Sequence, residues 1–145
     1  MECGKQYLIL RLSKVFGMKK GDQTLLDEMA SLLKSGKRIK AAIDQIFCPI
    51  FIEDVMNSVF KLQQMGCTGL YHLCGSEVWR RYDIATKIAA NLLVPLQQVE
   101  KISLNDLGLN RPNNTAMNNH KLVSLLKLSQ KKLSKCIEEL TKQHF

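Results

Sequence analysis

The residues best suited to chemistry lie in one short stretch, RPNNTAMNNHKL, residues 111–122. It holds one Arg, one Pro, four Asn and one Lys between two apolar segments. A guanidinium forks onto phosphate or carboxylate oxygens, and Asn amides and a Thr hydroxyl add further donors. A donor-rich loop that runs straight into a helix N-terminus suits an anion. The same composition suits a loop that bonds only its own backbone. Arg111 therefore has two readings: a fork onto phosphate oxygens, or a tie to a nearby carboxylate such as Asp106. Pro112 fixes the backbone beside it, which either pre-sets the guanidinium or simply stiffens the loop. Asn113, Asn114 and Thr115 can face a ligand or close turns, and Lys121 can contact a ligand or sit in water on the first helical turn.

No other constellation of reactive residues is visible. There is no Ser-His-Asp spacing and no paired-carboxylate pattern. His72 sits in the strand-like "LYHL" and reads as a core or supporting histidine; His120 and His144 have no partner arrangement. Glu53 and Asp54 read as helix-start residues. The five cysteines, Cys3, Cys48, Cys67, Cys74 and Cys136, are odd in number and irregularly spaced, with no C-x-x-C. A metal site has no support there, and free or buried thiols in a reducing compartment are expected.

The elements that must position the loop follow from the apolar pattern. "YLILRL" is a short apolar run cut off by Gly17, read as a strand buried on both faces. Asp22 is expected to cap a helix bearing Leu25, Leu26, Met29, Leu32 and Leu33, stopped at Gly36. "RIKAAID" predicts a strand, and "FCPIF" must be extended because Cys48 precedes a proline. Asp54 is expected to cap a second helix with Val55, Val59 and Leu62 on one face. "GLYHL" predicts a strand, and the segment from about Arg81 to Leu93 a helix burying Ile84, Ala85, Ile88, Ala89 and Leu92. "VEKISL" predicts a short strand. Asn118 or Asn119 then caps a helix, and a last helix follows Ser129. This alternation is the pattern of an α/β fold with parallel pairing.

The 145 residues suit one domain, and an apolar content of 46% excludes disorder by composition. A net charge of +8 and a pI near 9.4 point to a polyanion or an anionic small molecule, or to a solvated basic surface alone. Aromatic residues are only 6% of the chain and are not interleaved with the basic ones, so a stacking platform for nucleic acid is not expected. No apolar run approaches the roughly 18 residues of a membrane span, and the start lacks a secretory layout; no membrane role and a cytoplasmic location are expected.

Four stretches, LILRLSKVFG, DQIFCPIFIEDV, GLYHLCGSEVWRRYDIATKIA and RPNNTAMNNHKL, resemble in order and separation the C-terminal half of dTDP-4-dehydrorhamnose reductase. That enzyme is an extended short-chain dehydrogenase/reductase, and the resemblance runs from about Tyr7 to the end. It implies the last strands of a Rossmann-type sheet plus a small substrate-binding lobe, with the N-terminal Rossmann half absent and residues 1–145 one truncated domain. It also implies the substrate-binding half of an NAD(P)H-dependent reductase of dTDP-4-keto-6-deoxy sugars, incapable of turnover alone. The family's Gly-rich loop is missing here, and so is its Tyr-x-x-x-Lys pair: Tyr7 is followed by Arg11, Tyr71 by Gly75 and Tyr82 by Thr86. NAD(P)H is thus expected for the complete family enzyme and not for this chain alone, which has no expected catalytic or cofactor-binding residue. The implied substrate-binding residues are Arg111, Pro112, Asn113, Asn114, Lys121 and Lys14. A nucleotide sugar is the implied ligand, and a separate Rossmann half or self-association the implied partner.

Some positions depart from the family pattern. Lys14 stands where an aromatic residue borders the sugar; Phe47, Cys48, Pro49 and Ile50 replace a Gly-Ser-Pro-Thr; Arg80 replaces a small capping residue. These changes suit a diverged substrate or a lobe that no longer serves catalysis. The second reading is accordingly a non-catalytic regulatory module, since "GLYHLCGSE", "YDIATKIA" and "RPNNT" also resemble the β regulatory subunit of methionine adenosyltransferase. A basic nucleic-acid binder, resting on charge alone, is the weakest reading.

Overall fold

The apolar run at the start forms strand β1, Leu8–Leu12. After it the chain forms β2 (Val15–Phe16), α1 (Leu25–Lys34), β3 (Ile39–Ala42), β4 (Ile46–Phe47), β5 (Ile50–Phe51) and α2 (Ile52–Gln64). Then come β6 (Gly69–Leu73), β7 (Trp79–Arg80), α3 (Arg81–Asn91), β8 (Val99–Ile102), α4 (His120–Leu126) and α5 (Leu133–Lys142). This computed structural model describes residues 7–108 and 110–145, so Cys3 lies outside the described residues.

Among the described residues three of the four strand pairs are parallel, as the alternation of strands and helices predicts. β1 pairs with β6 from Leu8↔Gly69 to Leu12↔Leu73, β3 with β8, and β2 with β5. The exception is β4, which runs antiparallel to β7 through Ile46↔Arg80 and Phe47↔Trp79. Pro49 cannot donate a backbone bond, so the extended "FCPIF" splits into β4 and β5, each two residues long.

Two apolar cores form. The larger joins Leu25, Leu26, Met29 and Leu33 of α1, Ile84 and Ile88 of α3, and Leu133, Ile137 and Leu140 of α5. Burying one such side chain contributes about 1.5–3 kcal/mol. The tertiary contacts of α1, a helix of 10 residues, thus outweigh its marginal stability in isolation. The smaller core joins Val55 and Leu62 of α2, Tyr71 and Leu73 of β6, and Leu122 and Leu126 of α4, with Leu8 and Leu10 packed against them.

β1 corrects an expectation. It is not buried on both faces: Ile9 is 48% exposed, and Leu70, its partner on β6, is 36% exposed. The helices α2 and α4 cover only the face that carries Leu8, Leu10, Tyr71 and Leu73. An apolar run reports strand propensity, but not how many layers lie against the strand.

The capping expectations also change. Asp54 does not precede α2; it lies in its first turn, and its Oδ2 accepts the Lys131 N–H at 3.0 Å, fastening α2 to the segment entering α5. Thr24, not Asp22, occupies the position before α1. Asp22 Oδ1 accepts from Thr24 N–H at 2.8 Å, while Asp27 reaches back from within the helix to the N–H groups of Gly21 and Gln23. At α4, Asn118 Oδ1 accepts the His120 N–H at 2.7 Å. Asn119 instead directs its amide to the Cys74 carbonyl at 2.8 Å and to Gln130 Oε1 at 2.9 Å.

One glycine positions the site. Gly75 follows β6 and donates its N–H to the Cys48 carbonyl at 3.1 Å. A Cβ there would overlap the Pro49 carbonyl oxygen. The turn after β6 and the turn between β4 and β5 are therefore in direct backbone contact.

Candidate functional site: a cationic cleft

The segment that follows β1 is held against β6 and β5. Ser13 N–H donates to the Leu73 carbonyl at 3.0 Å, and the Lys14 carbonyl accepts from Ile50 N–H at 3.0 Å. These bonds fix the backbone of Ser13 and Lys14. Beside them the loop 113–115 joins β4 in parallel: Ile46 N–H donates to the Asn113 carbonyl at 2.7 Å, and Thr115 N–H to the Ile46 carbonyl at 2.9 Å. On the other side of β4, Arg81 N–H donates to the Gln45 carbonyl at 3.1 Å, which places the first residue of α3 at the same spot.

The result is a cleft of about 280 Å³ lined by Leu12, Ser13, Lys14, Gln45, Phe47, Arg81, Arg111, Thr115 and Met117. Three of these side chains are cationic, and none is a carboxylate. Among the described residues, Lys14, Arg81 and Arg111 form no ion pair, with Asp106 or any other acid. Burial is the main force holding the Arg81 pKa below its ordinary value; the charge of Glu28 opposes this, and that of Arg111 adds to it. Two guanidinium groups thus line one cleft, Arg81 half-buried and Arg111 exposed, an arrangement a bound dianion would stabilise by charge-assisted, bidentate bonds.

The candidate residues have different placements. Lys14 and Arg111 line the cleft. Pro112 is exposed next to it. Asn113 points its amide to Asp44 Oδ2 at 3.4 Å. Asp44 also accepts from the Ser103 hydroxyl at 2.7 Å and from Leu104 N–H at 2.8 Å; these bonds, the hydroxyl first, hold its carboxyl below the usual range. Asn113 therefore anchors the loop that carries Arg111. Asn114 closes a turn, its Oδ1 accepting from Ala116 N–H at 2.9 Å. Lys121 lies near the start of β6, away from the Leu73 end that borders the cleft. Its Nζ donates to the Leu70 carbonyl at 2.8 Å and sits 4.0 Å from the Tyr71 ring centre.

Sequence reasoning missed Arg81, together with Gln45 and Met117, as walls of the site; Phe47 stands among the positions where the sequence departs from the family pattern. The run "WRRYD" at a helix start was the only available signal for Arg81. Its nearness to Arg111 depends on β4 lying between α3 and the loop 113–115, which no spacing encodes.

The parallel pairs, the covering helices and the cleft at the strand ends define the class. This is the C-terminal, substrate-binding portion of an extended short-chain dehydrogenase/reductase fold. The chain belongs to the RmlD substrate binding domain family, whose model matches residues 1–144. It is similar in structure to dTDP-4-dehydrorhamnose reductase from Bacillus anthracis, solved in complex with NADP: TM-score 0.77, 23% identity, 94% of this chain and 48% of that one. The Yersinia enterocolitica dTDP-4-dehydrorhamnose reductase is similar at TM-score 0.77 and 19% identity, over 95% of this chain and 50% of that one. The Bacillus anthracis dTDP-glucose 4,6-dehydratase, solved with NAD, is similar at TM-score 0.77 and 15% identity, over 93% of this chain and 43% of that one. The chain spans about half the length of these solved proteins. At such identities the likeness is one of fold. No curated protein sequence matches the chain. Among the described residues no helix is long and apolar enough to cross a membrane.

Proposed function

We propose that this chain, as a single domain, binds a nucleoside-diphosphate sugar of the dTDP class in the cleft, as the substrate-binding half of a reductase of dTDP-4-keto-6-deoxy sugars. The observation that carries this reading is the convergence of Arg81, Arg111 and Lys14 on one cleft without a carboxylate on its walls. Arg81 and Arg111 fork onto the diphosphate, and Lys14 adds a point charge where the family has an aromatic side chain. Asn113 and Asn114 act by shaping the loop, Pro112 by limiting its backbone, and Lys121 by tying α4 to β6.

Among the described residues, the turn after β6 does not fit the phosphates of a dinucleotide cofactor. The Gly75 turn after β6 is closed by its bond to Cys48 and by the Pro49 carbonyl against its Cα, so it offers no open cradle of N–H groups. With no Tyr-x-x-x-Lys pair either, no proton donation of the family type is assigned to this chain. Turnover requires a second half that binds NAD(P)H. The outer edge of β1 pairs with no described strand, while β6 has Lys121 on its Leu70 carbonyl. The partner reading is therefore a strand added beside β1, from a Rossmann half or from a second copy.

The regulatory-module reading is favoured by one observation, the sealed rim: Cys48 and Pro49 pack into Gly75 and Met117 where the family has small and hydroxyl side chains. Calorimetric titration of the chain with dTDP and, separately, with inorganic phosphate tests the main reading. Saturable dTDP binding that is weakened when Arg81 or Arg111 is replaced supports it. No dTDP binding at millimolar ligand by folded protein removes it. Capture of a synthetase, together with failure to oxidise NADPH when a family Rossmann half is added, selects the regulatory alternative.

A further inference from the structure

Behind the cleft wall lie two thiols that the sugar-binding reading does not use. Cys48, between β4 and β5, and Cys74, at the end of β6, are free and fully buried. They meet across the backbone of Met117. Met117 N–H donates to Cys48 Sγ at 3.2 Å, and the Cys74 thiol donates to the Met117 carbonyl at 3.2 Å. Cys48 Sγ lies 3.7 Å from that same carbonyl oxygen. The bond from Gly75 N–H to the Cys48 carbonyl, at 3.1 Å, holds the two backbones together beside the sulfurs. Ser13 and Met117, which neighbour this pair, also line the cleft, while the two sulfurs themselves are buried.

The surroundings give the two sulfurs different characters. The neighbouring Cys74 thiol, the Met117 amide that donates to Cys48 and the nearby Ser13 side chain favour the Cys48 thiolate over the opposing effect of burial, lowering its pKa to about 6. Cys74 is pushed the other way, by its bond to Cys48 and by burial, and keeps its proton. The other described cysteines lack this arrangement. Cys136 is buried and raised to about 11, chiefly by desolvation, and Cys67 is half-exposed.

We propose that Cys48 and Cys74 are a redox-active dithiol that closes to an intramolecular disulfide on reaction with a small hydroperoxide entering through the cleft. The Cys48 thiolate attacks the peroxide oxygen and breaks the O–O bond. This gives a Cys48 sulfenic acid and an alkoxide or hydroxide, which takes up a proton from water. The Cys74 sulfur then attacks the sulfenic sulfur. The S–S bond forms, hydroxide leaves, and the Cys74 proton converts it to water. The two thiols are oxidised by two electrons and the peroxide is reduced. Afterwards the Met117 carbonyl has lost its S–H donor, and the Met117 amide faces a disulfide sulfur instead of a thiolate. The change is felt on a cleft wall, but the bond forms whatever the cleft binds.

The experiment treats the full chain with a few equivalents of hydrogen peroxide, alkylates the remaining thiols and maps the peptides by mass spectrometry. The expected result is a Cys48–Cys74 linked peptide pair, a mass loss of about 2 Da and the loss of two alkylatable thiols. In Cys74→Ser the reaction stops at the sulfenic acid, and dimedone labels Cys48. Wild-type protein in which Cys48 and Cys74 stay reduced while Cys67 is oxidised, or in which the new bond joins any other pair, overturns the proposal. The wild-type map decides the matter even if a variant folds poorly, and a chain that fails to bind dTDP can still pass.

Discussion

Arg81 and Arg111 show how residues of ordinary appearance acquire a role through the company they keep. Each is a helix-start or loop arginine by sequence; together on the walls of one cleft they form a site that favours doubly charged oxyanions. Replacing Arg81 with Ala is expected to weaken dTDP binding by roughly tenfold or more, as for loss of one charge-assisted hydrogen-bonding group. Arg81→Lys should recover only part of this, because it keeps the charge but not the fork. Lys121→Ala should leave affinity within about twofold, since the side chain is engaged at Leu70 and Tyr71; calorimetry on the three variants compares them. A second prediction concerns Cys48. Its folded pKa is about 6 against an ordinary thiol value of 9.0. Between these values the folded chain holds a thiolate while the unfolded chain still binds the proton. The unfolded state thus binds more protons, and stability rises with pH across this window and is lost as pH falls through about 6. Urea midpoints measured from pH 6 to 8.5 should rise more steeply for the wild type than for Cys48→Ser. Equal slopes would mean that the thiolate contributes nothing.

Short strands and turns do more for the site than the long helices do. β4 has only two residues, yet it receives β7 on one side and the loop 113–115 on the other, and so brings Arg81 and Arg111 together. The helices supply the cores that hold these pieces still. Asp54 provides a test of how they are joined. Burial raises its pKa above the ordinary carboxylate value, while the Lys131 amide bond works in the opposite direction. Asp54→Asn removes the cost of burying a charge and keeps an oxygen for Lys131 N–H, so its thermal midpoint should equal or exceed that of the wild type near neutral pH. Asp54→Ala leaves that amide without its partner and should be less stable by about 1 kcal/mol. Thermal unfolding of both variants checks the order, and a more stable Ala variant would show that the bond between α2 and the α5 approach is not needed.

For the molecule as a whole, the unfinished character of the β1–β6 pair matters most. Ile9 and Leu70 are exposed on one face, and Met56 and Phe60 of α2 are 63% and 61% exposed. Apolar surface beside an unpaired strand edge favours association. The chain is therefore expected to sediment as a concentration-dependent oligomer, or to be held in solution by a partner half. Ile9→Lys should shift it toward monomer without lowering its melting temperature, because this side chain is already half in water; a wild-type monomer at all concentrations would remove the expectation. Much of this fold is legible in the residues. The spacing of Leu25, Leu26, Met29 and Leu33 requires an amphipathic helix, "GLYHL" and "LILRL" require strands, and a Pro after Cys48 requires extended backbone, because each depends on chemistry within a few residues. The donor-rich loop at Arg111 is legible for the same reason. What lies against each element is not. The bare face of β1, the bond from Asp54 to Lys131, the meeting of Arg81 with Arg111 and the two thiols across Met117 arise from segments far apart in the chain. Local propensity carries no information about those distances, and only the packing of the two cores settles them.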